Sequence, residues 1–374
     1  MYKAYKYRLY PDEEQKIMLS KIFGCCRFVF NYYLAMRISA YKEDKASLNK
    51  TECNNHLNRE LKGEKEWLRE VDKFTLTNSV YNLDKAYQNF FRRVKSGKTP
   101  GFPKFKSKYN NQQSYTTNFT SGNIKVMFGE NLVKLPKLTY IKAVLHREFE
   151  GQIKSATVSK TCSDKYYVSV LVETAQVGLP EIATKIGIDL GLKEYAVSSN
   201  GEIHGNPRTL AKYEKKKNRM QKRLSRKQKG SSNRNKHRKK LAKIHERIAN
   251  IRKDSLHKLS REIVNENQVI ISEDLNVSGM MKNHNLAKAI SDVSWSEFMQ
   301  YLAYKSEWYG RTYHKIDPFY PSSQLCHVCG YKNAAVKDLK VREWVCPECD
   351  ALHDRDINAA KNILAKGLKD LGIA

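Results

Sequence analysis

The chain has 374 residues, which is enough for two or three domains with a substantial hydrophobic core. Its 68 Lys and Arg against 39 Asp and Glu give a formal net charge of +29. This excess argues against an ordinary metabolic enzyme and favours a polyanionic partner, either nucleic acid or an anionic membrane. The hydrophobic content of 40% excludes a wholly disordered chain.

A membrane is the weaker of these two partners. No stretch approaches the roughly 18 apolar residues that a membrane-spanning helix needs. The first residues also lack the apolar core of a secretory signal. We therefore expect a cytosolic or nucleoid-associated nucleic-acid-binding protein without membrane contact.

Residues 1–95 predict one strand and two long helices. Residues 1–10 alternate between two faces and are stopped by Pro11, as in a strand. Apolar residues then recur at helical spacing, and Cys26 lies on that stripe, so we interpret it as a core residue. The second helix begins near Thr75, and its polar face is either simply solvated or in contact with DNA bases and phosphates. The candidates for such contacts are Asn82, Lys85, Asn89 and Arg92.

Residues 96–119 form a turn-rich segment in which lysines alternate with aromatic residues. Positive charge holds a nucleic-acid backbone and aromatic rings stack on bases, so Lys104 and Lys106 are candidate contacts. The alternative is a basic loop whose rings pack on the domain.

Short strands follow this segment, and residues 155–174 predict a hairpin that turns at 163–165. We expect residues 1–10 and 96–180 to form a small β-barrel that carries residues 11–95 as an inserted helical domain.

The most basic region runs from residue 208 to residue 253. It contains 20 Lys and Arg within 46 residues and only two acids. The pattern predicts two long helices with the sequence GSSNRN as the turn between them. A charge run is often only a solvated face, but helices of one sign repel themselves unless a polyanion binds. Candidate contacts on the first of these helices are Lys216, Arg219, Arg223 and Arg226.

Three acidic positions stand out by their context. Asp189 interrupts an apolar strand in KIGIDLG, where a carboxylate either caps a turn or needs a partner such as a metal ion. Glu273 ends a buried strand, where α/β sheets place their sites, and Asp274 would point to the opposite face. The alternative for these two is a pair of solvated acids. Asp354 and Asp356 open a helix, where acids are often simple caps.

Taken together, the three positions suit phosphodiester hydrolysis. This reaction needs a strong nucleophile and a stabilised leaving oxygen, which two Mg²⁺ ions about 3.5–4 Å apart supply. Mg²⁺ keeps several waters and needs only a few carboxylates. Two strand carboxylates and one from a helix start therefore predict an RNase H-like site in an α+β multidomain protein.

Four cysteines predict a second metal site. Cys326 and Cys329 form one C-x2-C pair, and Cys346 and Cys349 form another after sixteen intervening residues. This spacing is a strong signal of a zinc ribbon. Four thiolates complete a tetrahedron, so the neighbouring histidines are not needed and the single Zn²⁺ is structural. The ribbon, residues 321–352, lies between the second and third acidic positions as an insertion.

These motifs resemble those of a known family. GIDLG, the EDL segment, SSQLCHVCG followed by CPECD, and DRDINAAKNI have the order and spacing of TnpB, the OrfB-type protein of bacterial insertion sequences. That family resembles the compact ancestors of type V CRISPR nucleases. YKYRLYP and GFPKFKSK…QSYTTN are also similar to family segments, so the resemblance covers essentially the whole chain.

The resemblance implies an RNA-guided DNA endonuclease. A RuvC-type domain over residues 181–374 would cut with Asp189, Glu273 and Asp356. Asp356 is chosen over Asp354 because the family's third aspartate precedes the x-Asn-Ala-Ala step. A guide RNA from the transposon end would pair with one strand of double-stranded DNA, with one protein copy per RNA favoured. The wedge β-barrel and the helical recognition domain would read a short motif beside the target. Further candidates for that motif are Thr117 and Asn118.

Other functions compete with this one. A non-cutting RNA-guided repressor on the same fold should have lost an acid, and all three are present. A direct transposase would fit the acids. It would not need twenty cations on two helices, although a protein that binds only DNA could also use them. A zinc-ribbon module that only binds nucleic acid leaves the carboxylate within IGIDLG unexplained.

Overall fold

The computed structural model describes residues 1–109 and 113–373. Residues 110–112, which belong to the basic and aromatic segment, lie outside this description, as does the last residue. The chain divides into two compact units, Met1–Ala175 and Gln176–Ala374. Within the described part of the chain, no helix combines the length and the apolar surface that crossing a bilayer requires.

The first unit mixes strands and helices. A π-helical turn (Leu57–Leu61) and a 3-10 turn (Glu66–Glu70) accompany its main elements. In chain order these are β1 (Tyr2–Tyr10), α1 (Glu13–Asp44), α2 (Lys50–His56), α3 (Lys62–Glu64), α4 (Lys73–Lys95), β2 (Gln113–Asn118), β3 (Lys125–Met127), β4 (Leu132–Lys134), β5 (Tyr140–Val144), β6 (Gln152–Lys160) and β7 (Tyr166–Glu173).

These seven strands form one antiparallel sheet in the order β2-β6-β7-β1-β5-β4-β3. β1 is central because it pairs with β7 on one side and β5 on the other, and its alternation buries Tyr7 and Leu9. The predicted hairpin is confirmed as β6 and β7, with Asp164 in the left-handed region at its turn. β2 and β3 are the end strands of the sheet, and its closure into a barrel stays a prediction.

Helices α1 and α4 pack against each other and contribute to the core of the first unit. α1 begins with a capping box, in which the side chains of Asp12 and Gln15 each accept a hydrogen bond from the other's backbone N–H. The thiol of Cys26, 5% exposed, donates to the carbonyl of Thr75. The interpretation of Cys26 as a core residue is therefore confirmed.

Among its described residues, the second unit contains a five-stranded sheet, a two-stranded sheet, four long helices and two short ones. A 3-10 turn (Ala334–Lys337) lies in the cysteine-rich segment. In chain order the elements are β8 (Lys185–Leu190), β9 (Glu194–Ser198), β10 (Ile203–Gly205), α5 (Thr209–Ser225), α6 (Ser232–Glu266), β11 (Val269–Glu273), α7 (Val277–Met280), α8 (Ala287–Val293), α9 (Trp295–Tyr309), β12 (Thr312–Ile316), β13 (Glu343–Val345), β14 (Leu352–Asp354) and α10 (Arg355–Leu371).

Five strands of this unit form a sheet in the order β10-β9-β8-β11-β12. β10, β9 and β8 are antiparallel, whereas β11 is parallel to both β8 and β12. α10 lies so close to the sheet that a methyl group at Gly187 would overlap the carbonyl oxygen of Ala360, and one at Gly367 would overlap the side chain of Ile271. Small residues at this interface therefore hold the start of α10 near the ends of β8 and β11.

The two basic helices are confirmed as α5 and α6, but the turn between them is not where we predicted it. The sequence GSSNRN places the turn at 230–235, whereas α6 already begins at Ser232. The hydroxyl oxygen of Ser231 accepts a hydrogen bond from the backbone N–H of Arg234 and caps the helix. A serine cap thus starts the helix inside the segment that we interpreted as a turn.

Candidate functional site

Two of the predicted acids lie at the carboxyl ends of adjacent parallel strands. The last paired residues of β8 and β11 are Ile188 and Ser272. Asp189 follows the first and Glu273 follows the second. Because the two strands run in the same direction and in this register, both carboxylates lie at the same edge of the sheet.

The third acidic position lies at the start of α10, where the structure separates two aspartates. Asp354 caps the helix, because its carboxylate accepts hydrogen bonds from the N–H groups of Asp356 (3.0 Å) and Ile357 (2.9 Å). Asp356 is instead close enough for its charge to act on Asp189. The carboxylates of β8, β11 and α10 therefore interact through their charges, and we call these three residues the acidic cluster: Asp189, Glu273 and Asp356.

The pKa values show how crowded the negative charge is. Burial, together with the charges of Glu273 and Asp356, raises the pKa of Asp189 to about 8, although Arg355 opposes this shift. Burial also raises the pKa of Glu273, and a 2.5 Å hydrogen bond from the hydroxyl of Ser322 opposes it. Burial is the first cause of both shifts, so water is largely excluded from two neighbouring carboxyl groups.

The acidic cluster fits a divalent cation. Carboxylate oxygens are the ligands that Mg²⁺ prefers, and a cation would offset the burial and the repulsion that raise the pKa of Asp189. The adjacent Asp274 stays apart and forms an ion pair with Lys315 at 3.0 Å. The strand alternation predicted this separation of Glu273 from Asp274.

One basic side chain contacts the acidic cluster directly. Nη1 of Arg342 donates hydrogen bonds to both carboxylate oxygens of Asp356, each at 3.0 Å. Neither Arg342 nor Ser322 stood out in the sequence. Ser322 opens the SSQLCHVCG segment, but nothing there marks it as a partner of an acid, and Arg342 lies outside the quoted motifs. Only the folding of the segment around the cysteines brings the two residues to the acids.

The four predicted cysteines converge in the same unit. The sulfur atoms of Cys326, Cys329, Cys346 and Cys349 all lie within 4.8 Å of one another. Cys326 and Cys346 are buried, Cys349 is half-buried and Cys329 is exposed. Four thiols at this separation fit one tetrahedral, structural Zn²⁺.

His353 supports the cysteine cluster without belonging to it. Its Nε2 lies 3.0 Å from Sγ of Cys326, and its ring packs on that of Trp344 with centroids 4.5 Å apart. A histidine in this position orients a metal ligand. The carboxamide oxygen of Asn358 in α10 accepts a hydrogen bond from the backbone N–H of His327 at 3.0 Å. The cysteine cluster is thereby linked to the helix that begins with the third acid.

The predicted nucleic-acid contacts on α4 and α5 lie at the surface. All four side chains of each set are exposed, so each set offers a polar or positive face to a partner. These residues are Asn82, Lys85, Asn89 and Arg92 on α4, and Lys216, Arg219 and Arg223 on α5, with Arg226 just after it.

The two predicted contacts on β2 differ from each other. Thr117 is fully buried, and its hydroxyl donates to the carboxylate of Asp72 at 2.7 Å. It connects β2 to the start of α4 and presents no free donor at the surface, which corrects our expectation for this residue. Asn118 is half-buried, and its side-chain oxygen accepts a hydrogen bond from Asn78 of α4 at 3.2 Å.

The basic and aromatic segment is partly exposed, as nucleic-acid contact requires, and partly packed on the domain. Lys104 and Lys106 are exposed, but the ammonium group of Lys106 lies 4.0 Å from the ring centroid of Phe30. The ring of Phe102 packs edge-on against Tyr87 and Phe90, so part of the segment is anchored on α4 and its neighbours.

Three family models match different parts of the chain. The model described as "Probable transposase" matches residues 167–284, and "Cas12f1-like, TNB domain" matches residues 295–363. A model described as "Helix-turn-helix domain" matches residues 1–46, which here consist mainly of β1 and the single long helix α1.

The chain is also similar to curated proteins along nearly its whole length. A protein of Streptomyces pristinaespiralis named "Putative RNA-guided DNA endonuclease" is 38% identical over 98% of this chain and 89% of its own length. "Putative RNA-guided DNA endonuclease InsQ" of Escherichia coli is 32% identical over 97% and 92%, respectively.

A solved structure supports the fold. The protein in a cryo-EM structure of a Cas12f1–sgRNA–target DNA complex matches with a TM-score of 0.60 at 17% identity, over 94% of this chain and 83% of that one. From its whole-length similarity to the curated relatives, the chain belongs to the TnpB family of transposon-associated proteins, as its motifs indicated.

Proposed function

We propose that the chain is an RNA-guided DNA endonuclease that hydrolyses phosphodiester bonds at the acidic cluster. The observation that carries this proposal is the convergence of Asp189, Glu273 and Asp356 from β8, β11 and α10. The sheet order, with α10 packed across β8 and β11, supports an RNase H-like, RuvC-type domain over residues 181–374. The names of the curated relatives support the same activity.

In this proposal the chain fixes the three carboxylates before substrate arrives. Asp189 is held by the backbone of β8, Ser322 orients Glu273, and the cap formed by Asp354 fixes the first turn of α10. Two divalent cations, when bound, supply an activated water and stabilise the leaving oxygen. The raised pKa keeps most of the Asp189 carboxyl groups protonated near neutral pH, so Asp189 would lose a proton on becoming a metal ligand.

The exposed cations support the RNA-guided part of the proposal. A guide RNA from the transposon end pairs with the target strand, and the face of α5 holds the backbone without reading its sequence. The polar face of α4 and Asn118 read a short motif beside the target, where amides contact base edges. The cysteine cluster holds one structural Zn²⁺ within the ribbon insertion, residues 321–352.

The decisive experiment is to express the protein with its flanking transposon end and to sequence the RNA that co-purifies. The complex is then incubated with a plasmid that matches the RNA, with and without Mg²⁺. We expect a discrete RNA and Mg²⁺-dependent cutting at the matched site. Asp189→Ala should abolish cutting and retain RNA, whereas Asp274→Ala, at the neighbouring acid outside the cluster, should cut normally.

Other outcomes would select the competing functions. Tight binding of matched DNA without cutting would favour a repressor. Cutting or joining of DNA without a specific RNA would favour a direct transposase. Cutting by Asp189→Ala would show that the acidic cluster is not the active site.

A further inference from the structure

The ion pair between Arg342 and Asp356 is a feature that the proposed hydrolysis does not explain. Both oxygens of the carboxylate accept hydrogen bonds from the same guanidinium nitrogen. The side chain of Arg342 is 45% exposed and that of Asp356 is 29% exposed, so the pair is accessible from solvent. Asp356 of the acidic cluster is therefore already paired with a cationic side chain of the protein, that of Arg342.

The backbone places Arg342 at this position. Its carbonyl oxygen accepts a hydrogen bond from the N–H of Arg355 at 2.7 Å, and the next residue, Glu343, pairs with Asp354 where β13 meets β14. The guanidinium of Arg355 donates to the carbonyl of Asp338 at 3.0 Å. The strand pair that connects the cysteine cluster to α10 thus fixes Arg342 beside the third acid.

A guanidinium and a divalent cation compete for the same carboxylate oxygens, because their charges repel and each needs the oxygen lone pairs. We propose that Arg342 is a positioning residue that holds Asp356 in the nucleic-acid-free protein. It releases Asp356 when a divalent cation and a DNA phosphate enter, and its planar fork then contacts that phosphate. The phosphate contact rests on the proposed function, whereas the competition with the cation does not.

The competition is tested with the zinc-loaded full chain without nucleic acid, by titrating Mn²⁺ and following the free ion by electron paramagnetic resonance. Arg342→Gln should bind Mn²⁺ about 2–5-fold more tightly, the range expected for loss of a partly exposed ion pair. Lys340→Gln removes the same charge two residues earlier and should bind like the wild type. An Arg342→Gln affinity equal to or weaker than that of Lys340→Gln would overturn the inference.

Folding and activity complete the test. Zinc content and melting temperature should match between the two variants, and Arg342→Lys, which keeps the positive charge, should bind Mn²⁺ more weakly than Arg342→Gln. At saturating Mn²⁺, Arg342→Gln should cleave matched DNA about 10-fold more slowly than Lys340→Gln, and equal rates would disprove the phosphate contact. Tighter Mn²⁺ binding in a protein that never cuts would contradict the proposed function and leave the competition standing.

Discussion

At the scale of single residues, Asp189 is the clearest sign of a functional site. Its carboxyl group is half-buried at the end of β8, and two other carboxylates act on it. Burial and mutual repulsion make such a group of acids locally unfavourable, so it is retained at the expense of stability. This cost is the physical reason to assign the cluster a function.

The raised pKa of Asp189 makes a prediction about stability. Unfolded aspartate ionises near pH ~3.9, whereas Asp189 in the folded protein ionises near pH 8. The unfolding free energy therefore falls as pH rises through this interval, because the folded state retains the proton longer. Asp189→Asn should be more stable than the wild type by about 1–2 kcal/mol at pH 8.5 and show a smaller difference at pH 5.

Urea unfolding in Mg²⁺-free buffer at both pH values measures this effect. Asp274→Asn is the matched control, because Asp274 is exposed and paired with Lys315. It should show no comparable gain at high pH. An equal gain in unfolding free energy for Asp189→Asn at both pH values would show that the raised pKa of Asp189 is not its cause.

The two aspartates at the start of α10 should have opposite phenotypes. Asp354→Ala removes a helix cap and should cost about 0.5–2 kcal/mol of stability while cleavage survives in the folded protein. Asp356→Ala leaves the cap intact and should reduce cleavage by about 100-fold or more. Thermal unfolding and plasmid cleavage on both variants check the pair. Loss of cleavage in a folded Asp354→Ala would reverse the assignment.

At the scale of elements, the sequence predicts what depends on local patterns. Strand alternation and helical spacing predict β1, the β6–β7 hairpin, α1, α4 and the basic helices. The ends of β8 and β11 also predict where their acids lie, because parallel strands in one sheet share an edge. The position of the α5–α6 turn was wrong because Ser231 caps α6 within a turn-like segment.

Other features depend on contacts between segments that are far apart in the sequence, and no local sequence pattern predicts them. Thr117 is polar and lies in a short strand, yet it is buried. Its hydroxyl group can be buried because it donates a hydrogen bond to the carboxylate of Asp72. Ser322 and Arg342 reach the acids only after the ribbon segment has folded onto α10. Tertiary contacts determine these positions, so neither the periodicity nor the composition of the sequence predicts them.

The cysteine cluster should be essential for the ribbon to fold. Structural zinc supplies folding free energy directly, so Cys346→Ser should lose zinc and lower the melting temperature of the second unit. Cys162→Ser is the matched control, because Cys162 lies in the first unit outside the cluster. Zinc content by atomic absorption and differential scanning calorimetry measure the two effects. Full zinc content in Cys346→Ser would refute the four-thiolate assignment.

At the scale of the whole molecule, the positive charge is concentrated rather than spread. Twenty of the 68 Lys and Arg lie in residues 208–253, which form α5 and most of α6. Helices with so much exposed charge of one sign are stabilised by a polyanion, and phosphate contacts of this kind release counterions. Affinity for the guide RNA should therefore depend steeply on salt.

That dependence gives a quantitative prediction for the α5 face. Each phosphate contact on single-stranded RNA contributes about 0.7 to the slope of log affinity against log salt concentration. Changing Lys216, Arg219, Arg223 and Arg226 to Gln should therefore reduce the slope by about 3 if all four contact phosphates. The same four positions with Lys and Arg exchanged keep the charge and should keep the slope, because phosphate binding does not require a particular cation. Filter binding of the co-purified RNA across a salt series measures both, and an unchanged slope in the Gln variant would place the RNA on another surface of the protein.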